Sequence, residues 1–403
     1  MEGRSQLGRL PHGVWALGFV SMFMDISSEM IHSLLPVFLV DALGASTEIV
    51  GLIEGVGEAT ASISKLFSGW LSDRLGKRKA LTVVGYGLGA LSKPFFAIAP
   101  TPLWVLGARF SDRVGKGVRG APRDALVADL VPTQLRGTAY GLRQSLDTVG
   151  AFAGPLLALA IMETFNNDFR LVFWLAVIPG IVAVTILVVA VREPASPREI
   201  AEAGAPIRWN RLSRLGNPFW AIVAVGIVLT LARFSEAFLV LRAVSVGFPT
   251  ALAPLLFVMM NIVYASSAYP WGALSDRFDR RLMLATGFLV LILADIVLAI
   301  APGILVVMIG VSLWGLHMGM TQGLLAALVA DAAPNDLRGT AFGFFNFASG
   351  IALLLASLIA GVLWQVIGPS ATFVAGATFT VIGVLGSGII HWSLIEIHRV
   401  SRL

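Results

Sequence analysis

In the first half of the chain, ionisable side chains recur inside stretches that are otherwise apolar: Asp25, Glu29, Glu54, Glu58, Lys65, Arg109, Asp112, Arg113, Lys116, Arg119, Arg123, Asp124, Arg143 and Asp147. Glu54 and Glu58 are spaced to share one helical face. Arg109, Arg113, Lys116, Arg119 and Arg123 recur every three to four residues and share a stripe. Carboxyl groups in an apolar medium can bind and release protons, and a basic stripe can hold an anion. Mutual ion pairing is the structural alternative, and for any single residue it weighs as much. For the set it weighs less, because buried ion pairs stabilise poorly compared with apolar packing. Asp25, Glu58 and Asp147 are therefore the expected proton carriers, with Glu29 and Glu54 next. Arg109, Asp112, Arg113 and Lys116 are expected to line a solute cavity.

The second half carries different groups. Arg233, Glu236 and Arg242 lie in one apolar segment, Asn261 in the next, Trp314, His317 and Gln322 further on, then Asn346. Such scattered hydrogen-bonding groups in an apolar wall suit contact with a solute, so Glu236, Asn261, Trp314, His317 and Gln322 complete the expected cavity. His317, Met318 and Met320 form no metal site in this reading, since Cys is absent and no second His is near in sequence. Gly115-Lys116 lacks the following Ser/Thr and the strand context of a phosphate loop. No nucleophile–base pair can be assembled, so neither an enzyme nor a cofactor is expected.

The elements that must position these groups follow from composition. Hydrophobic residues make up 57% of the 403 and charged residues only 13%, with a mean hydropathy of +0.83. Soluble domains carry roughly 25% charged residues. A membrane is the natural solvent, and each helical span needs about 20 mainly apolar residues. Spans are predicted over 13–40, 48–71, 80–99, 103–130, 137–162, 170–191, 218–240, 252–274, 282–300, 304–331, 339–366 and 371–391. The apolar run after the basic N-terminal segment has no small-residue cleavage site and reads as the first span. At the rise of an α-helix, Glu58 and Asp112 lie roughly 14–15 Å from the outer end, and Asp25 and Asp147 roughly 15–18 Å from the inner end. All four carboxylates approach the midplane of a ~30 Å core.

Orientation follows from Lys and Arg. Arg4 and Arg9 precede the first span, and Arg74, Lys77, Arg78 and Lys79 fill the second connection. Arg136, Arg338, the cluster Arg277, Arg280 and Arg281, and the terminal Arg399 and Arg402 lie on the same side. So does the polar segment with Arg192, Arg198, Arg208, Arg211 and Arg214. Arg170 and Arg242 are the main exceptions. Both termini are expected to be cytoplasmic. The net charge of +5 reflects these loops and does not build a nucleic-acid surface.

The chain repeats itself. GWLSDRLGKRKAL from Gly69 returns as GALSDRFDRRLML from Gly272, 203 positions on, and VADLVPTQLRGTAYG from Val127 returns as VADAAPNDLRGTAFG from Val329, 202 positions on. Such an offset, half the chain, marks a duplication. The expected fold is an all-α membrane protein of twelve transmembrane helices in two pseudo-symmetric six-helix bundles, residues 1–191 and 218–403, joined by a linker over 192–217.

With these motifs the sequence resembles the major facilitator superfamily of transporters along its whole length. Gly69, Leu71, Asp73, Arg74, Gly76, Arg78 and Lys79 meet G-x-L-x-D-R-x-G-x-R-K, while the second copy keeps Gly272, Leu274, Asp276 and Arg277 but has Asp279 in place of the second glycine. The fourth span matches R-F-x-x-G-x-G-x-G at Arg109, Gly115 and Gly117, with Asp112, Arg113 and Lys116 as departures. Gly141, Gly150, Gly154 and Pro155 resemble the fifth-span motif of proton-driven exporters, which here ends on Ala158 and Leu159 rather than two glycines. The resemblance implies that the first, fourth, seventh and tenth spans line the cavity. It implies a cytoplasmic gate of Gly69, Asp73, Arg74, Gly76, Asp129, Asp276, Arg277 and Asp331, with Asp73 facing the start of the eleventh span and Arg74 pairing with Asp129. It also implies that the fifth-span glycines seal the outer half of the interface between the bundles.

The function expected from residues and resemblance together is proton-coupled antiport of a small organic solute by alternating access, outward across a bacterial cytoplasmic membrane. The expected partners are the solute, protons and the lipid bilayer; nucleic acid is excluded and the protein is expected to be a monomer. The alternatives are import of an organic or metabolite anion held by the basic stripe, and a non-transporting membrane sensor.

Overall fold

The computed structural model describes residues 10–75, 77–132, 135–193, 215–275, 278, 280–332 and 338–400. These residues are helical almost throughout, with no strand among them. In chain order the helices are α1 (His12–His32), α2 (Leu35–Val37), α3 (Thr47–Leu75), α4 (Arg78–Ala97), α5 (Pro102–Leu130), α6 (Arg136–Thr164), α7 (Phe169–Leu175) and α8 (Val177–Ala190). There follow α9 (Asn217–Ala232), α10 (Ala237–Ser245), α11 (Ala253–Ser275), α12 (Arg280–Ile300), α13 (Ile304–Ala332), α14 (Arg338–Val366) and α15 (Pro369–Val400).

Taking α1 with α2, α7 with α8 and α9 with α10 gives the twelve segments expected from the sequence. Three of those spans are interrupted, which hydropathy alone does not reveal. After α1 the chain bends at Ser33 and Leu34 and ends in a π-helical turn, Phe38–Ala42. Pro36 lacks the N–H that would bond the His32 carbonyl. Pro179 likewise cannot bond Leu175, where α7 stops; the carbonyl of Ala176, at that joint, accepts the Ser27 hydroxyl at 2.6 Å. Between α9 and α10 the helix opens over Arg233–Glu236.

Among the described residues, eight segments are long and apolar enough to cross a membrane by length and composition, from His12–Ala42 to Ala341–Val366. Helix α5 does not reach that threshold, because it carries the basic stripe.

The chain divides into two compact units. One comprises Met1–Ala45, Val56–Ile207 and Thr250–Val258; the other comprises Ser46–Gly55, Arg208–Pro249 and Met259–Leu403. In the first, α4 packs on α5 and α1 on α6 and α8, around a core of Val14, Leu17, Val20, Met24, Tyr86, Leu126, Ala183 and Leu187. In the second, α12 packs on α13 and α15, and α9 on α14 and α15. Phe219 and Val223 meet Val329 and Ala341 there, with Phe344 and Phe345 against them.

Two glycine pairs set the close approaches of the first unit. A Cβ on Gly115 would stand 2.6 Å from the Gly85 carbonyl of α4, and one on Gly117 2.7 Å from the Ala61 carbonyl of α3. The motif glycines of α5 therefore let it touch helices on two sides. A Cβ on Gly150 would stand 2.5 Å from the Met22 carbonyl, and one on Gly154 2.9 Å from that of Ile26. These glycines seat α6 against α1.

Arg170 and Arg242, the exceptions to the charge asymmetry, have local work. Arg170 donates to the carbonyls of Ala97 and Ala99 at 2.8 and 2.9 Å, and Arg242 to those of Leu298 and Ala301 at 2.8 Å each. Each guanidinium satisfies carbonyls that the ends of α4 and α12 leave without intrahelical donors.

Candidate functional site

The first unit holds a connected polar layer. Lys93 of α4 lies 2.7 Å from Asp112 of α5 and 3.0 Å from the Ser28 hydroxyl of α1. Arg113 lies 3.3 Å from Glu58 of α3 and 4.0 Å from Asp112. A run of alternating charge, Lys93–Asp112–Arg113–Glu58, thus crosses three helices. The side chain of Arg109, also buried, lies along Gly57 of α3.

A second run lies between α5, α6 and α1. Arg143 pairs with Asp147 at 2.5 Å and approaches Asp124 at 3.7 Å. Arg123 bonds Asp124 at 3.1 Å and the Ser21 hydroxyl at 3.0 Å, and the Arg119 guanidinium stands 4.7 Å over the Tyr86 ring. The predicted basic stripe therefore fans out: Arg109, Arg113 and Lys116 stay with α3 and α1, whereas Arg119 and Arg123 turn to Tyr86.

Two groups of this layer stand apart. Asp25 makes no hydrogen bond or ion pair among the described residues; the charges around it are Asp147, Arg119, Lys116 and Glu29. Lys116 is exposed, also without a hydrogen bond or ion pair among the described residues, and its charged surroundings are Arg113, Glu58, Asp25 and Glu29. Glu29 is engaged by His32 at 3.6 Å.

Glu54 and Glu58, one turn apart on α3, have different company. Glu58 faces Arg113 in the first unit. Glu54 belongs with the second and accepts from the Ser235 hydroxyl at 3.4 Å, beside the opening between α9 and α10.

In the second unit, the open stretch that carries Arg233 and Glu236 faces an aromatic cluster. Phe234 meets Trp314 at 5.3 Å in a tilted contact and Phe373 edge-on at 5.5 Å, and Phe238 meets Trp364 at 5.8 Å. Tyr264 donates to Gln322 at 3.3 Å. His317 is fully buried, and its Nδ1 donates to the Gly287 carbonyl at 2.9 Å, which leaves Nε2 without a partner among the described residues. Asn261 is half-buried and Asn346 exposed. His317 and Trp314 are thus packed into helix contacts more deeply than a freely wetted cavity wall would be.

The Major Facilitator Superfamily profile matches residues 17–352 and, in a second alignment, residues 237–398. The chain belongs to the Major Facilitator Superfamily. An uncharacterized MFS-type transporter of Methanocaldococcus jannaschii is 30% identical over 388 residues, covering 93% of this chain and 94% of the relative. The gentisate transporter of Corynebacterium glutamicum is 25% identical over 389 residues, covering 93% and 86%. The crystal structure of a nucleoside transporter superposes with a TM-score of 0.78 at 11% identity, covering 93% of this chain and 99% of that one, a likeness of fold alone.

In this major facilitator the loop motif that follows α3 is only partly described. Gly76, Asp276 and Arg277 lie outside the described residues, as do the side chains of Asp73, Arg74 and Asp331 and the surroundings of Gly69. Asp129 is described and pairs with Arg78 at 2.7 Å; Arg78 also donates to the Ala125 carbonyl at 3.0 Å. Glu193 accepts from the backbone N–H of Arg78 at 2.7 Å, at the first turn of α4. Of the α6 motif, Gly150 and Gly154 touch α1, while a Cβ on Gly141 would meet nothing within 4 Å.

Sequence reasoning passed over Lys93 and Arg78 as site residues. Lys93 is the only charge in its span, and that isolation was the available signal: a lone cation at depth requires an anion from a neighbouring helix. By sequence Arg78 is one basic residue of a loop that sets topology, and nothing in its spacing reveals Asp129. Tyr86 and Ser21 carried no signal, since either residue is ordinary in a membrane helix.

Proposed function

We propose that this major facilitator couples proton movement to the passage of a small organic anion by alternating access, with both termini on the cytoplasmic side of a bacterial cytoplasmic membrane. The observation that carries the reading is the pair of exceptions in the first unit: Lys116 stands open while most of the buried charges around it are matched, and Asp25 faces Asp147. An open ammonium in a polar layer suits a carboxylate or comparable anionic group. Two carboxylates on facing helices repel when both are ionised, so they are a natural station where a proton enters and leaves during the cycle. Arg113, tied to Glu58, would exchange that partner for the solute. The gentisate transporter among the relatives moves an aromatic acid by its name, which supports an anionic solute here.

The test is flux in proteoliposomes, with gentisate and other small carboxylates as probes, under pH gradients of either sign. Anion movement that follows the gradient, and loses that dependence in Asp25→Asn and Asp147→Asn, is the expected result. Flux indifferent to the gradient sinks the coupling; binding without flux favours a sensor.

The second reading keeps the coupling and assigns export by antiport. The α6 motif supports it, because Gly150 and Gly154 are the residues at which α6 contacts α1 beside Asp25 and Glu29. An inside-alkaline gradient driving uptake favours symport of the anion, whereas an outside-acid gradient emptying preloaded vesicles favours export.

A further inference from the structure

Asp295 lies on α12, in the second unit and outside the helices expected to line a cavity. It is fully buried, and neither carboxylate oxygen has a hydrogen-bond partner among the described residues. A buried carboxylate without a partner is strongly destabilising, so its surroundings must supply a reason for it.

Those surroundings are made by α15 and by the end of α9. A Cβ on Gly376 would stand 2.7 Å from Asp295 Oδ2, 3.1 Å from the Phe234 ring and 3.2 Å from the carbonyl oxygen of Ala232. The glycine makes room for the carboxyl beside that carbonyl. Ala232 is the last residue of α9, just before the opening at Arg233–Glu236, and its carbonyl accepts no hydrogen bond among the described residues. The C-terminal end of a helix carries partial negative charge. A carboxylate anion there would be repelled by the helix end; a carboxylic acid offers the O–H that a bare carbonyl accepts.

The charged and titratable groups on the packed elements do not replace that proton. Helix α9 has none, and the opening after it has Arg233 and Glu236. On α13 there are His317, whose Nδ1 is committed to Gly287, and Asp331, at the far end of the helix and outside the described side chains. On α15 the titratable residues begin at His391, outside the described side chains. On α12 itself Arg280 and Arg281 stand at the opposite end of the helix. Asp295 makes no ion pair with any described residue. A sodium ion would need several oxygen ligands, and the wall here is Phe234 and its aromatic neighbours Trp314 and Phe373.

We propose that Asp295 is a proton-binding site of the second unit, its acid form docking on the C-terminal end of α9 and its ionised form leaving it. Proton loss would turn an attraction into a repulsion at the joint between α9 and α10, which holds Arg233 and Glu236. The site is separate from the Asp25–Asp147 pair and does not depend on the solute being an anion.

The experiment is infrared spectroscopy of the purified transporter in liposomes, in an Asp25→Asn/Asp147→Asn background, with and without Asp295→Asn. This background keeps a failure of the first proton station distinct from a failure here. One protonated-carboxyl stretching band is expected at neutral pH, absent in the Asp295→Asn protein, losing at least half its intensity as pH rises while the protein stays folded. A spectrum that Asp295→Asn leaves unchanged overturns the proposal, and so does a band that persists until unfolding, which would mark a fixed structural acid. Bleaching of the band by added sodium at constant pH also overturns it, in favour of a metal cation. Should the Asn variant fail to fold, Asp295→Glu serves: a shifted band supports the site and an unmoved band refutes it.

Discussion

Lys93 Nζ stands 2.7 Å from Asp112 Oδ1, with both side chains almost wholly removed from solvent. The pair bolts α4 to α5 at the level where the remaining charges of the first unit gather. Removing Lys93 leaves the buried Asp112 with only the longer contact to Arg113 at 4.0 Å and the Ser92 hydroxyl at 3.4 Å, whereas removing both members leaves an apolar contact. Lys93→Met is therefore expected to destabilise the protein by about 3–5 kcal/mol, and Lys93→Met/Asp112→Leu to recover most of that loss. Thermal unfolding of the purified variants gives the check: the single variant must melt well below both the parent and the double variant.

Lys116 is open, so its removal should spare the fold and affect the solute. Lys116→Gln is expected to melt with the parent and to raise the KM for an anionic solute about tenfold, equivalent to about 1.4 kcal/mol. Lys116→Arg, which keeps the charge, should recover most of the affinity. An unchanged KM in Lys116→Gln would remove this residue from the solute path.

Asp147 is held by Arg143 at 2.5 Å and shares its surroundings with Asp25. Asp147→Asn and Asp25→Asn are each expected to abolish accumulation driven by a pH gradient while leaving solute exchange at equal pH largely intact. The two activities are measured in the same proteoliposomes. Parallel loss of both would mean a damaged binding site and not a lost proton station.

The α6 glycines predict a graded response. Gly150→Val and Gly154→Val place side chains against the backbone of α1 and are expected to cost about 1–3 kcal/mol each by overpacking. Gly141→Ala opens onto empty space and should melt with the parent. Equal melting of all three variants would show that the motif glycines do not set the contact between α6 and α1.

Much of the architecture was legible in the chain because its physical basis is local. Apolar runs longer than a bilayer is thick have few alternatives to spanning it, and a repeat at half the chain length leaves little choice but two related bundles. The breaks inside three spans were not legible: Pro36 and Pro179 interrupt the ladder, yet Pro94, Pro122 and Pro155 sit inside continuous helices. Which proline ends a helix depends on whether neighbours satisfy the freed carbonyl, and that is a tertiary matter.

The candidate site divides along the same line. Residue types and spacing alone determined that acids and bases concentrate in the first half and that Arg109, Arg113 and Lys116 share one helix face. Only the tertiary structure decided who pairs with whom: Lys93 with Asp112, Arg113 with Glu58, Arg143 with Asp147 and Arg78 with Asp129. It also decided that Glu54 and Glu58, one turn apart, belong to different units, and that Asp295 sits against the end of α9 with no partner among the described residues. Side-chain spacing along one helix is set by its own geometry, but the charge a side chain meets is set by the neighbouring helix, whose rotation and depth no single segment encodes.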